Sequence, residues 1–119
     1  MSVRIVEGET RLINRRTRMP FKYGIATMTD VPYAFLRLAV EINGNIYEGY
    51  SADNLPPKWF TKIPETPLGG EMTEMLRVIE HARETAIGLQ ADTPFDLWLD
   101  LYEAQTAWGN SENLAPLLS

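Results

Sequence analysis

The chain has 119 residues, 45% of them hydrophobic, with a formal net charge of −5, enough for one domain with its own core but not for two. It holds no cysteine and one histidine, His81, which excludes disulfides, Cys/His zinc sites and cysteine nucleophiles. No apolar run of about 18 residues and no charged, apolar leader occurs, so the sequence reads as having neither a membrane span nor a secretory signal, with the cytoplasm as the default location.

Arg4 to Asn14 predicts a first strand in which Ile5, Val6 and Leu12 are apolar but the alternation breaks around Gly8 and Glu9. From Arg15 to Val31 no period is sustained, and Pro20 and Gly24 interrupt the run, with Pro32 just beyond it. The reading there is a loop of about 17 residues, a length usually tied to function or mobility. Leu36 to Ser51 then reads as a β-hairpin: Leu36, Leu38, Val40 and Ile42 share one strand face, and Asn43-Gly44 suits the positive φ of a primed turn. Asn45 leaves a three-residue loop open as well. After the second hairpin strand, about Ile46 to Ser51, the prolines at 56, 57, 64 and 67 predict another irregular stretch.

Glu71 to about Gln90 predicts a helix about 30 Å long, with Met72, Met75, Leu76, Ile79, Ala82 and Ala86 in one stripe and Glu74, Arg77, His81 and Glu84 opposite. Gly69-Gly70 reads as a hinge ahead of it. Thr93-Pro94-Phe95-Asp96 is a helix start, with Thr93 as N-cap and Pro94 in the first helical position. Leu97, Leu101, Ala104 and Trp108 face one way, flanked by Trp98 and Tyr102, and Gly109 marks the end. Ser111 to Ser119 reads as the start of a third helix, with Leu117 and Leu118 as an apolar edge to be covered by further chain.

Familiar catalytic signatures are missing: there is no dinucleotide-binding glycine motif, phosphate loop, H-E-x-x-H or calcium loop. His81 reads as a solvated surface histidine. Asp96, Asp100 and Glu103 lie along one helix ridge and diverge, whereas metal ligands must converge, so they read as solvated too. Residues 1–62 carry nine Lys or Arg against six Asp or Glu, and residues 63–119 two against ten. Arg11, Arg15, Arg16, Arg18 and Lys22 could form a nucleic-acid face. The reading preferred is that this basic segment meets acidic surface of the same molecule or a neighbour, because no recognition motif accompanies it.

The two irregular stretches hold large apolar groups: Met19, Phe21, Tyr23, Ile25 and Met28 in the first, Leu55, Trp59 and Phe60 in the second. Such groups need something to cover. Either they staple the loops to the sheet and helices, or they close over a small-molecule pocket built largely by another domain.

A three-stranded antiparallel meander followed by a helical bundle, with a Pro20-Phe21 loop after strand one and a second loop after strand three, resembles the N-terminal capping domain of the enolase superfamily. The likeness is to its mandelate racemase and muconate lactonizing branch. Gly44 and Gly49 match glycines of that family's G-x-x-G-x-G-E hairpin pattern, whereas Tyr47 and Tyr50 replace its middle glycine and its glutamate. The resemblance implies an α+β capping domain, residues 1–119, truncated at its C-terminal end and catalytically silent alone. A (β/α) barrel in cis would supply the bases and the carboxylates for Mg, acting on a small-molecule carboxylate substrate as a lyase or isomerase (racemase, cycloisomerase or dehydratase). It also implies substrate-contacting loops over residues 17–29 and 51–60, with Phe21, Tyr23, Met28, Ser51, Asn54 and Trp59 as contacts. The alternative is a self-sufficient α+β binding or oligomerisation module that forms a homo-oligomer through an exposed sheet edge and Leu117-Leu118.

Overall fold

In the computed structural model, which describes residues 2–24, 26–56, 59 and 68–119, Asn43 and Gly44 take φ values of 50° and 84°, and Ile42 pairs directly with Asn45. The turn therefore has two residues, and its left-handed backbone matches the twist of the strands it joins. Three strands, β1 (Val3–Tyr23), β2 (Ala26–Ile42) and β3 (Asn45–Asn54), form the antiparallel meander. A fourth, β4 (Gln90–Ala91), pairs with Val3 and Arg4 at the far edge of β1, giving the order β3-β2-β1-β4. The expected three-stranded meander is present, and this short strand extends the sheet at its β1 edge.

The long first loop is corrected. Residues 15–23 and 26–31 form the distal arm of a β1–β2 hairpin, paired from Arg15↔Val31 and Arg16↔Asp30 to Tyr23↔Ala26. The prolines are accommodated where the ladder allows it. Pro20 lies in the register shift between Arg16 and Phe21, where four residues of β1 oppose one of β2 and Thr17 Oγ1 donates to Thr29 O at 3.0 Å. Pro32 sits where β3 has run out: its carbonyl accepts the Leu55 N–H at 3.0 Å, so its missing N–H faces the vacated side and the β1 ladder is undisturbed.

A second register shift, between Ile5 and Glu7, explains the broken alternation near Gly8. The extra residue, Val6, flips parity, so Val3 and Ile5 share the helix-facing side with Gly8, Thr10 and Leu12. Gly8 has a further reason to be small, since a Cβ there would come within 3.0 Å of Arg83 Cγ. Arg83 crosses the strand at that point and donates from Nη1 to Gly8 O at 3.2 Å.

Helix α1 (Leu68–Ala86) begins before Glu71, so the predicted glycine hinge is its first turn. It stops at Ala86, short of Gln90, because the next residues bond to β1: Gly88 N–H donates to Ile5 O at 2.8 Å and Leu89 O accepts from Ile5 N–H at 3.1 Å. Helix α2 (Pro94–Ser111) starts as expected, Thr93 Oγ1 accepting from Asp96 N–H at 3.1 Å and donating to Asp96 Oδ2 at 2.7 Å. It runs past Gly109 to Ser111, and the predicted third helix is a series of turns. The expected bundle is thus two helices among the described residues.

Two apolar clusters lie between the sheet and the helices. Val3, Ile5, Ala86 and Leu97 form one, with Leu38, Val40, Ile42 and Leu101 against it; Leu55, Met75 and Leu118 form the other, with Ala34, Leu76, Ile79 and Leu114. Leu118 is 8% exposed and Leu117 75%, so only one of the pair is an open apolar group. No helix is long and apolar enough to cross a membrane among the described residues.

Candidate functional site

The arm tip and the chain leaving β3 enclose a cleft of about 540 Å³, lined by Phe21, Tyr23, Met28, Asp53, Asn54, Pro56 and Trp59. Strand alternation builds one wall: Phe21 and Tyr23 share a face of β1, Met28 pairs opposite Phe21, and Lys22 turns to the other face. The Phe21 and Tyr23 rings stack at 5.9 Å, and Trp59 meets Tyr23 at 6.0 Å with a 57° tilt. The opposite wall is fixed by buried Leu55, whose N–H bonds to Pro32 O, and by Asn54, whose Nδ2 donates to Met28 Sδ at 3.8 Å.

Burial first, and then the carboxylate of Glu71 on the first turns of α1, pushes the Tyr23 phenol above its ordinary pKa. That hydroxyl stays protonated near neutrality and serves as a neutral polar group. The polar complement of the cleft is the Asp53 carboxylate, the Asn54 amide and this phenol. Among the described residues it has no nucleophile beside a base, and apolar walls with a few polar groups are the chemistry of a ligand-binding cleft.

Five of the six residues expected to contact substrate, Phe21, Tyr23, Met28, Asn54 and Trp59, line this one cleft. Ser51 does not. It pairs with Leu36 and borders a separate cleft of about 440 Å³ with Glu9, Arg11, Ile13, Phe35, Arg37 and Tyr50. Ile25 and Phe60, and the stretch containing Pro57, Pro64 and Pro67, lie outside the described residues. Asp53 and Pro56 fall within the expected loop of residues 51–60 but were not singled out as contacts.

Other candidates resolve into structural roles. His81 is not a solvated side chain: its ring stacks on Trp108 of α2 at 3.9 Å and 8°, and its Nδ1 bonds to Gln105 Oε1. Gln105 is buried and passes the connection back to α1, donating to Val78 O at 3.2 Å. Arg77 sits 5.3 Å from the Trp108 ring centre and pairs with Glu112 at 2.6 Å. Asp96 engages the Thr93 cap, and no group of three or more His, Cys, Asp or Glu able to hold a metal occurs among the described residues.

On the outer sheet face Arg37 pairs with Glu7, Glu9 and Glu48 at 3.1, 3.4 and 3.0 Å. Glu7 first, and then Glu48 and Glu9, holds that guanidinium above its ordinary pKa against the opposing effect of desolvation. One guanidinium thus ties together three carboxylates from the first and third strands across the second, leaving the group net acidic. Of the basic arm residues, Arg11 pairs with Glu9 at 2.8 Å, while Arg15, Arg16, Arg18 and Lys22 are exposed.

Neither a protein-family model nor a curated protein matches the sequence. Among solved structures, the fold is similar to part of a dipeptide epimerase from Enterococcus faecalis V583, solved with Mg and the dipeptide L-Leu-L-Tyr. The TM-score is 0.60 at 20% identity, over 87% of this chain. The chain spans 25% of the length of that epimerase. The α+β architecture expected of an enolase-superfamily capping domain is therefore the architecture found.

Proposed function

We propose that this chain is the capping domain of a larger enolase-superfamily enzyme, closing over a substrate held by a (β/α) barrel in cis and performing no chemistry alone. The observation that carries the reading is the convergence of the arm tip and the β3 exit into one apolar-walled cleft, on a fold similar to a quarter of a dipeptide epimerase. A cap of this kind acts by excluding water and shaping the pocket, so it selects among substrates while the barrel carries the reaction. In this reading Phe21, Tyr23, Met28, Asn54 and Trp59 touch the substrate directly.

Any Mg of the complete enzyme is held by barrel carboxylates, where it would stabilise negative charge next to the carboxylate of the substrate, as expected for a racemase, cycloisomerase, dehydratase or epimerase. The reading frame beyond Ser119 tests the proposal. It should encode βα repeats whose strands end in metal-binding carboxylates and a Lys or His base. A stop codon there, or a continuation without those repeats, refutes it.

A further inference from the structure

The aromatic rings of the cleft stand beside a carboxylate and, among the described residues, no cation. The Tyr23 ring lies 5.9 Å from Phe21 and 6.0 Å from Trp59, Asp53 adds a negative charge, and none of the described lining side chains is basic. The nearest basic residue along the strand, Lys22, is directed away by the alternation of β1. Purely apolar ligands need aromatic walls but gain nothing from a carboxylate, which must be partly desolvated when the cleft fills.

We propose that the cleft formed by Phe21, Tyr23, Trp59 and Asp53 is a cation-selective subsite, which takes an ammonium or guanidinium group flanked by apolar carbon. Ring faces attract a cation through their quadrupoles, and the carboxylate supplies the counter-charge. The inference rests on the capping reading and extends it. The substrate then carries a cationic group at the end that meets the cap, as well as the carboxylate expected at the reacting end.

The test compares choline with its neutral isostere 3,3-dimethylbutan-1-ol, binding to the chain being followed by NMR at the Trp59 indole and the Tyr23 and Phe21 rings. Choline should bind about fivefold or more tightly than the alcohol. Asp53→Asn keeps an acceptor for the Asn54 N–H, which Asp53 Oδ1 holds at 2.8 Å. It should shrink the preference to about twofold with the affinity for the alcohol unchanged. Asp100→Asn, on the exposed face of α2, should alter neither, which separates the cleft from the general negative charge of the protein. Equal or tighter binding of the alcohol overturns the inference, as does the absence of shifts at these rings with either probe. The capping reading is untouched by those outcomes, because it stands or falls on the sequence after Ser119.

Discussion

Leu117 and Leu118 are adjacent and chemically identical, yet one is 75% exposed and the other 8%. Replacing each with Ala therefore measures the packing of the C-terminal turns with the chemistry held constant. Leu118→Ala removes three carbons from the cluster with Leu55 and Met75. At about 0.8 kcal/mol per buried carbon that is a loss of about 2 kcal/mol. The cavity term adds little, because the neighbouring chain is the turn segment of residues 112–119 and can settle into the space. For a domain of this size the change corresponds to a fall in Tm of about 8 °C. Leu117→Ala should stay within about 0.5 kcal/mol of the parent. Urea unfolding followed by tryptophan fluorescence gives both values, and the slope with denaturant should not move. Equal costs for the two variants, or a larger cost at Leu117, would refute the placement of Leu118 under α1.

Three other outcomes follow from the geometry. Thr17→Val removes the hydroxyl that bonds to Thr29 O across the Arg16–Phe21 shift. It should raise amide exchange over residues 21–28 about fivefold, the effect of one hydrogen bond of about 1 kcal/mol, without changing residues 3–5; uniform or unchanged exchange would count against a paired arm. Gly44→Ala places a side chain at φ 84° and should cost about 1 kcal/mol in urea unfolding, whereas a silent substitution would contradict the two-residue turn. Arg83 first, and the Thr10 hydroxyl next, hold the Glu80 carboxyl below its ordinary value of 4.5. Because the folded pKa is the lower one, the stability linked to Glu80 is complete above the unfolded value near 4.5 and is lost as pH falls through the folded one. Glu80→Gln should flatten that acid limb, and urea midpoints that fall in parallel with the parent below pH 5 would exclude the role.

Much of the fold was legible where local chemistry decides conformation. Asn43-Gly44 needs no tertiary partner to turn the chain, and Thr93-Pro94 needs none to start a helix. The arm was unreadable for a physical reason. Arg15, Arg16, Arg18, Thr27 and Thr29 are polar because no layer covers them, so the pairing leaves no apolar alternation to detect, and two prolines imitate loop punctuation. The Val6 bulge hid the parity of β1 in the same way. A two-residue strand such as β4 has no period at all. His81 was misread because a helical wheel treats every polar face as solvent, whereas Trp108 reaches it from α2. The cleft was found through Phe21, Tyr23, Met28 and Trp59, as bulky apolar groups outside any predicted core. Asp53 was covered only by the expected loop of residues 51–60 and not singled out, because one carboxylate in an exit loop looks the same whether or not rings surround it.

Beyond Pro32 the arm is a two-stranded ribbon, without β3 on its flank. At about 3.3 Å per residue, and allowing for the bulge, it projects roughly 20 Å from that joint to its tip. A bend of about 10° at the joint carries Phe21 and Tyr23 through roughly 3–4 Å by lever action, and two-stranded ribbons bend and coil more readily than wider sheets. That displacement is more than half the 6.0 Å between Tyr23 and Trp59. The aperture of the cleft is thus set by a joint that lies outside it. Changes at Pro32 or Thr17 should tune what fits between the rings without altering a single atom that lines them.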